Sequence, residues 1–92
     1  MQQKHLNTLK AIFDDPVRSN IPWRSIESLF VALGADVSEG RGSRVRVSLN
    51  GKRGVFHRPH PEKEADKGSV KSVRRFLSEA GILPPEEKSE GS

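Results

Sequence analysis

A chain of 92 residues with 33% hydrophobic and 30% charged side chains has room for one domain around a modest core. It contains no cysteine, which excludes disulfides, thiolate zinc sites and cysteine nucleophiles. No apolar run reaches the length of a membrane helix, and residues 1–10 lack the apolar stretch of a signal peptide, so a cytoplasmic protein without a membrane partner is expected.

Net charge is +4, and it is unevenly spread. Residues 40–76 hold eleven Lys or Arg against Glu62, Glu64 and Asp66, a local charge of +8. The rest of the chain holds five bases and nine acids, a charge of −4. Such segregation suits a polyanion binder, although a solvated basic face would look the same by composition.

Along the chain, Leu6, Leu9, Ile12 and Phe13 fall at helical spacing and predict a short helix over 5–14, stopped by Pro16. A second helix is expected over 22–33, with Pro22 in its first turn. Trp23, Ile26, Phe30 and Leu33 form its apolar stripe, and Gly34 its stop. The period then changes to two. Residues 36–39 fit a short strand and Gly40 to Ser43 a turn. In residues 44–49, Val45, Val47 and Leu49 alternate with Arg44, Arg46 and Ser48. Asn50-Gly51 predicts a two-residue hairpin turn and a return strand over 52–57. Residues 58–67 read as a polar, proline-rich loop. A last helix is expected over 67–80, capped by Asp66 or Ser69 and buried through Val70, Val73, Phe76, Leu77 and Ala80. Gly81 and Pro84-Pro85 end it, and 84–92 form a polar tail. The fold class is α+β, with helices covering one face of a small antiparallel sheet.

A two-residue turn at Asn50-Gly51 fixes the hairpin register. Leu49 then faces Lys52, Val47 faces Gly54, Val45 faces Phe56 and Arg44 faces His57. Arg44, Arg46, Arg53 and His57 are thereby expected on the exposed face. Histidine suits proton transfer near neutral pH, and arginine suits bidentate phosphate binding. Together they are parts of a metal-free ribonuclease site, or simply polar residues on an outer strand face.

His60, in Arg58-Pro59-His60-Pro61, is a second proton-transfer candidate or a packing device of a stiff loop. His57 and His60 also have the spacing of a metal pair, but two histidines without a fixed third ligand make a weak signal; no metal or cofactor is assigned. Further phosphate contacts are expected from Arg41 beside Gly42-Ser43, from Arg58, and from Lys67, Lys71, Arg74 and Arg75 around the start and outer face of the last helix. An ordinary amphipathic helix would carry the same lysines. His5 reads as a surface residue, and Trp23 as core.

The run Arg58-Pro59-His60-Pro61, then Asp66-Lys67-Gly68-Ser69-Val70-Lys71-Ser72-Val73-Arg74-Arg75-Phe76-Leu77 and Ala80-Gly81-Ile82, resembles the C-terminal half of HicA family toxins. Gly42-Ser43 before the first hairpin strand also matches, and the resemblance spans roughly 22–83. It implies a double-stranded-RNA-binding-like α-β-β-β-α domain over 22–83, with 1–21 an added helix and loop. It further implies an mRNA interferase, a metal-independent endoribonuclease that blocks translation and is neutralised by a HicB-type antitoxin. Members typically read Gly-Ser-His with that histidine catalytic, and here Arg44 stands at the matching position. Three readings follow: His57 takes the proton-transfer role opposite Arg44, His60 takes it from its loop, or the protein binds RNA without cutting it. The first is preferred. A basic module that docks an acidic protein is a separate class, distinguished by lacking RNA affinity.

Overall fold

The computed structural model describes residues 1–59 and 63–85. Eight elements follow in order: α1 (Gln3–Ile12), β1 (Ile21–Pro22), α2 (Trp23–Ala32), β2 (Asp36–Glu39), β3 (Arg44–Leu49), β4 (Lys52–His57), β5 (Glu64–Ala65) and α3 (Lys67–Glu79). From α2 to α3 the main elements run helix, three strands, helix, the double-stranded-RNA-binding-like order, preceded by one further helix.

The principal sheet is antiparallel, in the order β2-β3-β4. Asn50 and Gly51 both have positive φ, 52° and 81°, as the two-residue hairpin requires. The β3–β4 register is the expected one, from Leu49 opposite Lys52 outward to Arg44 opposite His57. The turn is also tied down from behind, because the Asn50 side-chain amide donates to the Ala80 carbonyl at 2.7 Å. That bond sets the C-terminal end of α3 over the hairpin tip.

Burial follows the two periodicities. Val45, Val47 and Leu49 of β3 and Phe56 of β4 join Ile26, Leu29 and Phe30 of α2 and Val70, Val73, Phe76 and Leu77 of α3 in one core. At its centre, Phe30, Phe56 and Phe76 have ring centroids 5.6–5.9 Å apart, in stacked and edge-on arrangements, with Trp23 6.2 Å from Phe56. Gly54 lets α3 approach the sheet: a β-carbon there would lie 2.9 Å from the Phe76 ring.

Helices α2 and α3 end in the same way. After α2, Ala35 N–H bonds Phe30 O and Gly34 N–H bonds Val31 O. After α3, Ile82 N–H bonds Leu77 O and Gly81 N–H bonds Ser78 O. Each is a Schellman closure, with Gly34 and Gly81 at positive φ.

Several boundaries differ from the sequence expectation. The first helix ends at Ile12, two residues early, with Phe13 as its C-cap; beyond it the Asp14 carboxylate accepts the Asp15 N–H and the Arg18 side chain. Pro22 is the N-cap of α2 and so stands just before its first turn. The loop after β4 contains a two-residue strand: Ile21 pairs with Ala65 and Pro22 with Glu64. Ile21 and Ala65 are both buried, which supplies the reason for that short pairing.

α1 packs on α2 and α3 and buries Leu9 and Ile12 in the common core. It is therefore part of the hydrophobic unit.

Candidate nucleic-acid interface

The helices cover one face of the β2-β3-β4 sheet and leave the other open. On the open face β3 presents Arg44, Arg46 and Ser48, and β4 presents Arg53, Val55 and His57; all but Ser48 are exposed. β2 adds Ser38 opposite Arg46 and Asp36 opposite Ser48. Three guanidinium groups and one imidazole thus share a face with a single carboxylate.

Arg44 and His57 form the outermost rung of the hairpin. Directly opposed residues of an antiparallel pair hold their β-carbons about 5 Å apart and on the same face. Beyond them the Arg58 N–H bonds the Ser43 carbonyl at 2.8 Å, so the rung is held from both sides. On the preceding turn the Gly40 N–H bonds Arg44 O at 2.8 Å and the Arg44 N–H bonds Arg41 O at 3.1 Å. Gly42 takes the left-handed conformation, φ 60°, that lets this turn close. Arg41 is exposed on that turn, at the same end of the sheet as Arg44 and His57.

The other expected phosphate contacts lie elsewhere. Arg58 follows His57 and so points to the helical side. There it donates to both carboxylate oxygens of Glu27 on α2, at 2.6 and 3.1 Å, and to Glu39 on β2 at 3.0 Å. The Trp23 indole N–H also bonds Glu27. The Arg58 hydrogen bonds hold the Glu27 carboxyl below the usual carboxylate range, against the opposing effect of its partial burial. Glu27, and then Glu39, raise the pKa of Arg58 in turn. This four-residue network ties the end of β4 to α2 and β2 and uses the Arg58 charge internally. Position 58 has the same strand parity as Phe56, so the hairpin register already carried the signal.

Arg74 is likewise engaged. Its guanidinium donates to the Ile12 carbonyl at 2.9 Å and the Asp14 carbonyl at 2.7 Å, capping the C-terminal end of α1. Lys67, Lys71 and Arg75 are exposed on α3, and Arg75 lies 3.7 Å from Glu79. The N-terminus of α3 already holds an anion, because the Asp66 carboxylate accepts the Ser69 N–H at 2.7 Å. Asp66, and not Ser69, is thus the cap. That hydrogen bond lowers the Asp66 pKa. His60 lies outside the described residues.

The structure therefore gathers Arg44, Arg46, Arg53 and His57 on one face, with Arg41 at its end, and sets Arg58, Lys67, Lys71, Arg74 and Arg75 apart from it. On the far side, α1, α2, Arg58-Pro59 and Lys63-Glu64 bound an open groove of about 1270 Å³ that includes Trp23, Glu27, Val31 and Arg58. His5, half-buried on α1, borders this groove and not the basic face. Among the described residues no helix is long and apolar enough to cross a membrane.

No curated protein and no solved structure matches the chain. A family model described as HicA toxin of bacterial toxin-antitoxin matches residues 23–82, which takes in α2, the three-stranded sheet and α3 and leaves α1 outside. The chain belongs to the HicA toxin family.

Proposed function

We propose that this protein is the toxin of a bacterial toxin–antitoxin pair, a cytoplasmic endoribonuclease that cleaves messenger RNA without a metal, blocks translation and is neutralised by a HicB-type antitoxin. Residues 22–83 are the RNA-acting domain in this reading. The observation that carries it is the Arg44–His57 rung on an open sheet face that also bears Arg46 and Arg53.

The chemistry is transphosphorylation. His57 accepts the proton of a ribose 2′-hydroxyl, and that oxygen attacks the adjacent phosphorus. The bond from phosphorus to the 5′-oxygen breaks, leaving a 2′,3′-cyclic phosphate and a 5′-hydroxyl. Arg44 donates to the non-bridging oxygens as their negative charge grows. The departing 5′-oxygen takes its proton from a second acid, the role proposed for His60. Arg46, Arg53 and Arg41 hold neighbouring phosphates.

A second reading rests on Arg44 itself. Arginine does not exchange protons near neutral pH, so a face with Arg44 where the family typically has histidine suits RNA binding without cleavage. Gel-shift titration across a salt series, run beside a cleavage assay, tests both. RNA affinity that falls steeply with salt supports the basic face in either reading, and product formation separates them. Binding without salt dependence contradicts both.

A further inference from the structure

The open sheet face carries one apolar side chain, Val55, and it is 57% exposed. Val55 belongs neither to the core nor to the partly buried residues packed against it. It stands directly opposite Arg46 across the β3–β4 ladder. On its own strand, Arg53 and His57 lie two residues to either side on the same face, about 7 Å away at the usual strand rise. An exposed apolar spot is thus bordered on three sides by the cationic and imidazole groups of the proposed site.

We propose that Val55 is the seat of an unpaired nucleobase, next to the phosphodiester held between Arg44 and His57. This rests on the sheet-face reading above and adds the form of RNA that the face accepts. A nucleotide offers an apolar ring face attached to a charged phosphate, and the surface offers the complementary pair, a valine beside arginines. In a duplex the ring faces are buried in the stack, and what remains outside is phosphate, sugar and base edges. A duplex therefore gains from Arg46 and Arg53 but nothing from Val55. An unpaired base can lie flat on Val55 while its flanking phosphates reach Arg46 and Arg53. His57 is the next residue on that face, so the seated base adjoins the bond to be cut. Cleavage is thereby confined to unpaired stretches.

The test is fluorescence anisotropy with a labelled RNA 12-mer of mixed sequence, alone and annealed to its complement. The proteins are wild type, Val55→Phe, Val55→Thr and the double variant Arg46→Ala/Arg53→Ala. Phenylalanine and threonine both suit an exposed strand position, so the fold should survive either change. Val55→Phe should tighten single-strand binding roughly fivefold or more, as expected for an added stacking surface. Val55→Thr should weaken it about threefold, for the loss of one apolar group. Opposite shifts cannot both come from misfolding. Duplex binding should stay within about twofold for both, while the double arginine variant should weaken both RNAs and flatten their salt dependence. Single-strand affinity that ignores both Val55 variants while the arginine variant loses binding would overturn the base seat and leave the sheet-face reading standing. Duplex affinity that shifts as much as single-strand affinity would also overturn it. No change in any variant would sink the sheet-face reading itself.

Discussion

Arg44 faces His57 across the β3–β4 ladder, and the next backbone bond, from Arg58 N–H to Ser43 O at 2.8 Å, pins that rung at the end of the hairpin. Both side chains therefore spring from regular strand, which positions them more tightly than a loop would. If Arg44 grips the reacting phosphate through two parallel N–H donors, a lysine cannot replace it. Arg44→Lys should keep RNA affinity within about threefold, because the charge remains. The cleavage rate should fall roughly tenfold or more, because the fork is lost. Single-turnover cleavage at saturating protein, set beside a binding titration, checks this.

Arg74 is expected to act on stability and not on RNA. Its two bonds to the Ile12 and Asp14 carbonyls fasten α1 to α3. Hydrogen bonds from a charged donor contribute about 1.5–3 kcal/mol each where shielded, and partial exposure lowers that, so Arg74→Ala should cost about 1–3 kcal/mol. Urea unfolding followed by circular dichroism gives the number. The salt dependence of RNA binding should not move.

The Glu27–Arg58 pair predicts a pH dependence. The folded-state pKa of Glu27 lies below its ordinary value of 4.5, chiefly through the Arg58 hydrogen bonds. A carboxyl with a depressed folded pKa stabilises the fold fully above its unfolded pKa, and that contribution is lost as pH falls through the folded pKa. Glu27→Gln should therefore be less stable than wild type at pH 7, by about 1 kcal/mol for a partly exposed pair. The gap should close as pH falls below the ordinary value of 4.5 and through the lower folded-state pKa. Thermal melts of both proteins across that range measure it.

Gly54 is predicted to resist substitution for a steric reason. A β-carbon there would meet the Phe76 ring at 2.9 Å and the Phe56 ring at 3.1 Å, inside a packed aromatic cluster. Gly54→Ala should destabilise by about 1–3 kcal/mol, the usual range for overpacking. Chemical denaturation is again the measurement.

What the sequence made legible was the part governed by short-range rules. The Asn50-Gly51 turn sets the hairpin register, and that register alone puts Arg44, Arg46, Arg53 and His57 on one face. The apolar stripes of α2 and α3, with Gly34 and Gly81 as stops, were equally plain. Less legible was which cations the protein uses on itself. Arg58 and Arg74 look like any other basic residue in a basic stretch, and their partners Glu27 and Ile12 lie 31 and 62 residues away in the chain. For Arg58 the available sign was the strand parity it shares with Phe56, which its reading as a phosphate contact sets aside, and Arg74 sits beside the buried stripe of α3, between Val73 and Leu77. The Ile21–Ala65 pairing was hidden because two-residue strands carry no period.

The most direct test of the central claim is cleavage of a purified messenger RNA in EDTA by wild-type protein and by His57→Ala. Cleavage by wild type, a loss of about 100-fold or more in the variant, and RNA affinity within about threefold of wild type are the predicted result for a general base acting from the sheet face. Equal cleavage by both proteins, or none by wild type with binding intact, would contradict the assignment of proton transfer to His57; the second outcome would leave a protein that holds RNA through Arg44 and its neighbours without cutting it.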